Sequence, residues 1–234
     1  MRLRASFKET VVLVIAVLEM ASRSTAGTVV TVPPGLNPGD QYRLVFVTHE
    51  STYATSSNIA DYNSFVTTSA NTVTALQNLS ASWLVIGSTA TTNVVSNIGS
   101  STAPIYDLSG NLVANGTAGL FSGSLLDAHG IDTFQDGSSA IPGYYAWSGS
   151  NADGTSFTGY TLGSARVWWG ITGMNDATWI SASQSVASSD YYHAYAISSV
   201  LTVPSSGTPE PTTISVTALG GAIFLLARRR KQQG

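Results

Sequence analysis

The chain contains no cysteine, so disulfide frameworks, thiolate zinc sites, iron–sulfur clusters and cysteine nucleophiles are excluded together. Charge is scarce as well, with Asp, Glu, Lys and Arg at 10% of 234 residues against 43% hydrophobic. Basic residues are nearly missing from the middle of the chain. Arg2, Arg4, Lys8 and Arg23 lie near the start and Arg228, Arg229, Arg230 and Lys231 near the end, leaving Arg43 and Arg166 between them. The same interval holds eleven carboxylates, Glu210 included. Such a body repels a phosphate backbone, and nucleic acid is excluded as its partner because binding needs clustered cations. What replaces charge is Ser, Thr and 22 glycines, the polar composition of a secreted β-rich domain, and the length fits one domain plus its ends.

Both ends read as addresses. Residues 1–26 combine a basic start (Met1 to Lys8), an apolar run from Val11 to Leu18, and Ser24-Thr25-Ala26, which puts small residues at the −3 and −1 positions before Gly27. This is the layout of a secretory signal peptide cleaved after Ala26, and an apolar run of about eight residues is too short for a bilayer core of roughly 30 Å. Glu19, directly after that run, departs from the pattern. At the other end, residues 205–211 form a Ser/Gly linker ending in Pro209-Glu210-Pro211, residues 212–227 are mostly apolar, and residues 228–234 carry the cationic cluster. The apolar stretch from Ile214 would rise roughly 21 Å as a helix, short but tolerable with bilayer thinning. The trailing cations would stay cytoplasmic and leave the body outside.

The order Pro-Glu-Pro, short hydrophobic helix, basic cluster resembles the PEP-CTERM sorting signal of bacteria. The resemblance implies recognition by an exosortase-type enzyme and cleavage near Pro209-Glu210-Pro211. It also implies transient anchoring in the inner membrane through the C-terminal helix, then delivery to the cell surface or extracellular matrix. A plain tail anchor fits the same hydrophobic length.

Residues 27–204 form the body. Thr28 to Val32 and Tyr42 to Val47 read as strands separated by Pro- and Gly-rich turns. Ile59, Tyr62, Val66, Ala70, Val73 and Leu76 recur at helical spacing, and Asn58 with Asp61 makes an N-cap with an acidic first turn, so one amphipathic helix is expected over Asn58 to Gln77. Short strands are expected at Trp83 to Ile86, Ile105 to Leu108, Leu112 to Val113, Tyr144 to Trp147, Val167 to Gly170 and Ala194 to Val203. The plan is α+β, with one main helix and many short antiparallel strands.

Four local motifs occur in a telling order: Pro104 to Val113 as a hairpin, Leu120-Phe121-Ser122-Gly123, Trp147-Ser148-Gly149-Ser150 running on to Gly154, and His193-Ala194-Tyr195-Ala196-Ile197. This order resembles the collagen-derived endostatin domain over roughly Arg43 to Leu201, which implies a C-type-lectin-like fold. The departures limit what carries over. That family holds two disulfides and binds heparin through arginine clusters, neither of which this body supplies. Sugar-binding C-type lectins ligate calcium through Glu-Pro-Asn or Gln-Pro-Asp with Trp-Asn-Asp, whereas here only Met174-Asn175-Asp176 occurs. Fold likeness therefore delivers no function.

Among chemical constellations, the three histidines His49, His129 and His193 are scattered, and neither Gly-x-Ser-x-Gly nor His-Glu-x-x-His is present. His193 reads as a structural residue bonded at a strand start. Asn151-Ala152-Asp153-Gly154 echoes part of a calcium loop, but Gly149 and Tyr160 would stand where carboxylates are needed, so a tight turn is the better reading. Asp127, Asp132 and Asp136 are the densest carboxylates and leave calcium open as a ligand, although no metal site or cofactor is expected. Trp168 and Trp169 are adjacent in a strand and must face opposite ways, so one of them is a candidate for exposure and sugar stacking. The expectation is a non-catalytic exported protein that binds or organises extracellular polysaccharide. A structural or adhesive protein with protein partners, and a hydrolase with an unrecognised carboxylate site, are the alternatives.

Overall fold

The run Gln41-Tyr-Arg-Leu-Val-Phe-Val47 is apolar on both alternating faces, which suits a strand covered on both sides. In a computed structural model that describes residues 27–140, 143–182 and 184–205, this segment is β1 (Gln41–Val47), buried after its first residue. It lies inside one nine-stranded mixed sheet, and the molecule is α+β with few helices. β1 pairs in parallel with β3 (Ile105–Asp107) and antiparallel with β8 (His193–Ser198), while β9 (Leu201–Thr202) pairs with its start. β4 (Leu112–Ala114) completes a hairpin with β3. Beyond β8 come β5 (Tyr145–Trp147), β6 (Arg166–Ile171) and β7 (Ser185–Ala187), and β2 (Trp83–Val85) shares the β8 edge with β5.

The alternation along β1 and β8 divides the interior into two cores. Tyr42, Leu44, Phe46, Ala194 and Ala196 pack on one face with Tyr62, Val66 and Ala70 of helix α1 (Ile59–Asn71) and with Trp83, Trp147 and Trp169. Val45, Val47, Tyr195 and Ile197 pack on the other with Ile105, Val113 and Trp179, under helices α3 (Val94–Ile98) and α4 (Gly116–Leu120). A 3-10 turn at Ala177–Trp179 delivers that last indole.

Several expectations need correction. The strands are not uniformly antiparallel, since β1 with β3 and β5 with β8 run parallel. The helix expected over Asn58 to Gln77 keeps its cap, Asn58 Oδ1 accepting from Ala60 N at 3.2 Å, but it stops at Asn71 and a separate turn α2 (Thr74–Gln77) follows. Val73 turns extended between them, and Leu76 still reaches the core, which is why the apolar period runs unbroken through the break. Thr28 to Val32 forms no strand; it follows the sheet with Val30 N donating to Leu108 O at 2.8 Å, and Pro33-Pro34 then removes two donors. The signal segment with Ala26, the Pro209-Glu210-Pro211 motif, the hydrophobic stretch and Arg228, Arg229 and Arg230 lie outside the described residues. Among the described residues no helix is long and apolar enough to cross a membrane.

The Trp147-Ser148-Gly149-Ser150 segment acts as a structural crossing. Trp147 Nε1 donates to Thr52 O at 2.8 Å, Ser148 Oγ donates to Ile180 O at 2.6 Å, and the Ser150 and Ser88 hydroxyls lie 2.8 Å apart. Gly149 has φ +58°, and a Cβ there would stand 2.6 Å from Ser88 O, so no other residue fits without moving backbone.

Candidate functional site

β6 alternates as a strand must, and it settles the tryptophan pair. Trp169 is 5% exposed and belongs to the helix-side core. Trp168 is half-buried, but Phe157 lies stacked on it with centroids 4.2 Å apart, and its Nε1 donates to Ser181 Oγ at 2.8 Å. Its stacking face is thus occupied from within the chain, which removes it as an open sugar platform.

The carboxylates come together only partly. Asp136 stands apart, taking both the backbone N and the hydroxyl of Ser138, which holds its carboxyl below the usual range despite burial. Asp127 and Asp132 approach each other and Asp107, a residue the sequence did not mark as functional. Asp107 is fully buried and caps the β3–β4 turn, accepting from Ser109 N at 2.9 Å, Asn111 N at 2.8 Å and Asn111 Nδ2 at 2.9 Å. The Asp127 side chain is 8% exposed, accepts from His129 N at 3.0 Å through Oδ1, and leaves Oδ2 without a partner among the described residues. Burial is the main force raising the carboxyls of Asp107 and Asp132, and the neighbouring carboxylates add to it. Among the described residues no group of three or more His, Cys, Asp or Glu is placed to hold a metal ion.

This like-charge cluster is a stability liability at neutral pH. An acid whose folded pKa is raised contributes fully below its unfolded value and loses that contribution as pH rises through the folded one. Asp132→Asn should therefore raise the melting temperature at pH 7 by about 2–4 °C, the shift that roughly 1 kcal/mol produces in a domain of this size, and should give no gain at pH 3. Thermal scans of the two proteins at both pH values check this.

The histidines divide as their surroundings dictate. His193 opens β8 with Nδ1 2.7 Å from Thr48 O, so Nδ1 carries the hydrogen, and burial lowers its pKa. His129 is exposed in a loop, and His49 packs against Phe134 at 4.7 Å between centroids. Asn151 to Gly154 is a tight turn, closed by Gly154 N donating to Asn151 O at 3.0 Å.

Among the described residues, exposed aromatic side chains gather where tyrosines that the sequence reading did not select meet at the strand starts. Parallel pairing of β5 with β8, in the register Ala146 to His193, sets Tyr144-Tyr145 beside Tyr191-Tyr192 at the strand starts. A bridge between Thr52 and Tyr192 brings in Tyr53. Tyr53 and Tyr191 are 55% and 60% exposed with ring centroids 5.0 Å apart, and Tyr144 and Tyr145 are each 40% exposed. Tyr192 rests on Trp147 at 4.7 Å and Tyr145 on Trp169 at 4.3 Å, whereas Tyr144 turns to His193 at 5.0 Å and Phe134 at 6.0 Å, as adjacent residues of an extended segment must face opposite ways. The available sequence signal was the pair of Tyr-Tyr doublets just before two strands.

No cation stands over this surface. Among the described residues the only Lys or Arg side chains are Arg43, which is buried, and Arg166, which is bonded to Ser185. The arrangement offers flat aromatic faces and phenolic hydroxyls in an acidic setting, suited to the apolar faces and hydroxyls of sugars. In comparisons with known proteins, no family model matches the chain and no curated protein matches it significantly.

Proposed function

We propose that this is a non-catalytic bacterial surface or matrix protein whose body binds extracellular polysaccharide through the tyrosine surface of Tyr53, Tyr145 and Tyr191. The observation that carries the reading is that surface itself: three exposed tyrosines from three chain segments, with Tyr53 against Tyr191 and Tyr145 against the buried Trp169. The shortage of cations narrows the ligand to neutral or amine-bearing glycans, because uronate or sulfated chains would meet carboxylates without counter-charge. The C-type-lectin-like, endostatin-like fold belongs to the same proposal. An early helix and the pairing of β1 with the terminal strands β8 and β9 support it. Export by the N-terminal signal and sorting by an exosortase-type enzyme complete it, resting on the two terminal sequence patterns.

Affinity electrophoresis of the exported protein through gels containing neutral or amine-bearing polysaccharides is the test. Retardation by at least one of them is expected, with free migration through an acidic polysaccharide. Free migration through every neutral and amine-bearing gel would remove the binding claim. Tyrosine is also enriched where proteins meet proteins, so capture of a protein partner at the same surface would favour the adhesive reading instead.

A further inference from the structure

A concavity lies between the start of α3, the Ser100–Thr102 segment, α4 and the turn that carries Asp153. It has a volume of about 650 Å3, within the range of small-ligand sites, and shares no residue with the tyrosine surface. Val95, Ala118 and Phe121 form its apolar floor, and Ser100, Ser101 and Thr102 supply a rim of hydroxyl and backbone groups. The floor is fixed, because the Phe121 ring lies nearly parallel to the buried Trp179 at 6.2 Å.

The turn is fixed too. Gly154, at φ +81°, lies so close that a Cβ there would fall 2.7 Å from a Val95 methyl and 3.0 Å from the Phe121 ring, so Asp153 is held at the rim by backbone packing. Asp153 Oδ1 accepts from Thr155 N at 2.9 Å and from its hydroxyl at 2.6 Å, leaving Oδ2 free of bonds to described residues. Those two bonds hold the carboxyl below its usual range, so it remains ionised in mildly acidic media. Among the described residues it is the one ionisable group in the lining.

We propose that this cleft is a subsite for an amine-bearing sugar, with the apolar ring face on Phe121 and Val95 and the protonated amine against Asp153. The proposal rests on the reading of the body as a polysaccharide binder and names the glycan class that the charge pattern selects. An apolar floor with a hydroxyl rim fits any pyranose, and the lone carboxylate, facing no cation, distinguishes a free amine from its N-acetyl derivative.

The test is titration calorimetry of the exported protein at pH 5.5 with β-1,4-linked glucosamine trisaccharide and with its fully N-acetylated counterpart. The free-amine form should bind about fivefold more tightly, roughly 1 kcal/mol, the upper end for a partly exposed ion pair. Asp153→Asn keeps an acceptor for Thr155 and should abolish that preference. Ala118→Phe, at an exposed position, should fill the cleft and likewise abolish the preference for the free-amine form. Equal affinity for the two sugars, a preference that survives Asp153→Asn, or no binding of either would overturn the proposal. Gel retardation by polysaccharide, measured on the same variants, separates the two readings: retardation that persists while the free-amine preference is absent means that the cleft fails and the tyrosine surface stands.

Discussion

Replacing Arg43 by Leu is expected to cost the domain roughly 2–5 kcal/mol, because it strands two buried backbone acceptors at about 1–3 kcal/mol each. Arg43 is 1% exposed near the start of β1 and pairs with no carboxylate among the described residues. Its Nε donates to Ser198 O at 2.7 Å and its Nη2 to Ile98 O at 3.1 Å, so one guanidinium ties the end of β8 to the last residue of α3. Burial lowers its pKa to about 10, which still leaves it charged at neutral pH. Many buried ions can be exchanged for hydrophobic groups without loss, provided both partners change. Here the partners are backbone carbonyls, which no substitution removes, so Leu strands two acceptors. Arg43→Lys should recover only part of the loss, because a single ammonium cannot reproduce the planar fork. The melting temperature should fall by about 10 °C for Leu and by less for Lys. A change under about 2 °C for Leu would mean that water reaches both carbonyls.

Arg43 also shows where sequence reading stops. The composition of Tyr42 to Val47 marked a strand, and the lone cation Arg43 inside it was visible, but its acceptors lie 55 and 155 residues away. Elements whose signal is local were legible: the Asn58 cap, the Ser109-Gly110 turn between β3 and β4, and the β8 segment. Helices α3 and α4 were missed because five residues are too few to show a period. The break at Val73 was missed for the opposite reason, since the apolar spacing carries through it.

The functional surface failed to read for a topological reason. Tryptophan is the larger stacking residue, so attention fell on Trp168 and Trp169, yet the chain covers one with Phe157 and buries the other. Tyr144-Tyr145 and Tyr191-Tyr192 become neighbours only because β5 and β8 run parallel, and a parallel pairing between distant strands leaves no local mark. The carboxylate cluster was half legible: Asp127 and Asp132 do approach, but the third member, Asp107, comes from the hairpin on the adjoining strand pair.

Replacing Tyr53 and Tyr191 together by Ala should weaken polysaccharide binding about a hundredfold while leaving the fold intact. Each ring is more than half exposed and is free to be covered by ligand. Burying an aromatic side chain stabilises by roughly 1.5–3 kcal/mol, and two at the lower end give about 3 kcal/mol, or a factor near one hundred. Neither ring lies in either core cluster, so melting should move by no more than the shift of an ordinary surface change, within about 0.5 kcal/mol. Tyr145 and Tyr192 are poor choices for the same experiment because they lean on Trp169 and Trp147, and their loss would confuse binding with packing. Phe at both positions should keep most of the affinity if ring stacking dominates, and little of it if the phenolic hydroxyls do. Retention of full affinity by the double Ala variant would move the binding site off this surface, and with it the functional reading built on the tyrosines.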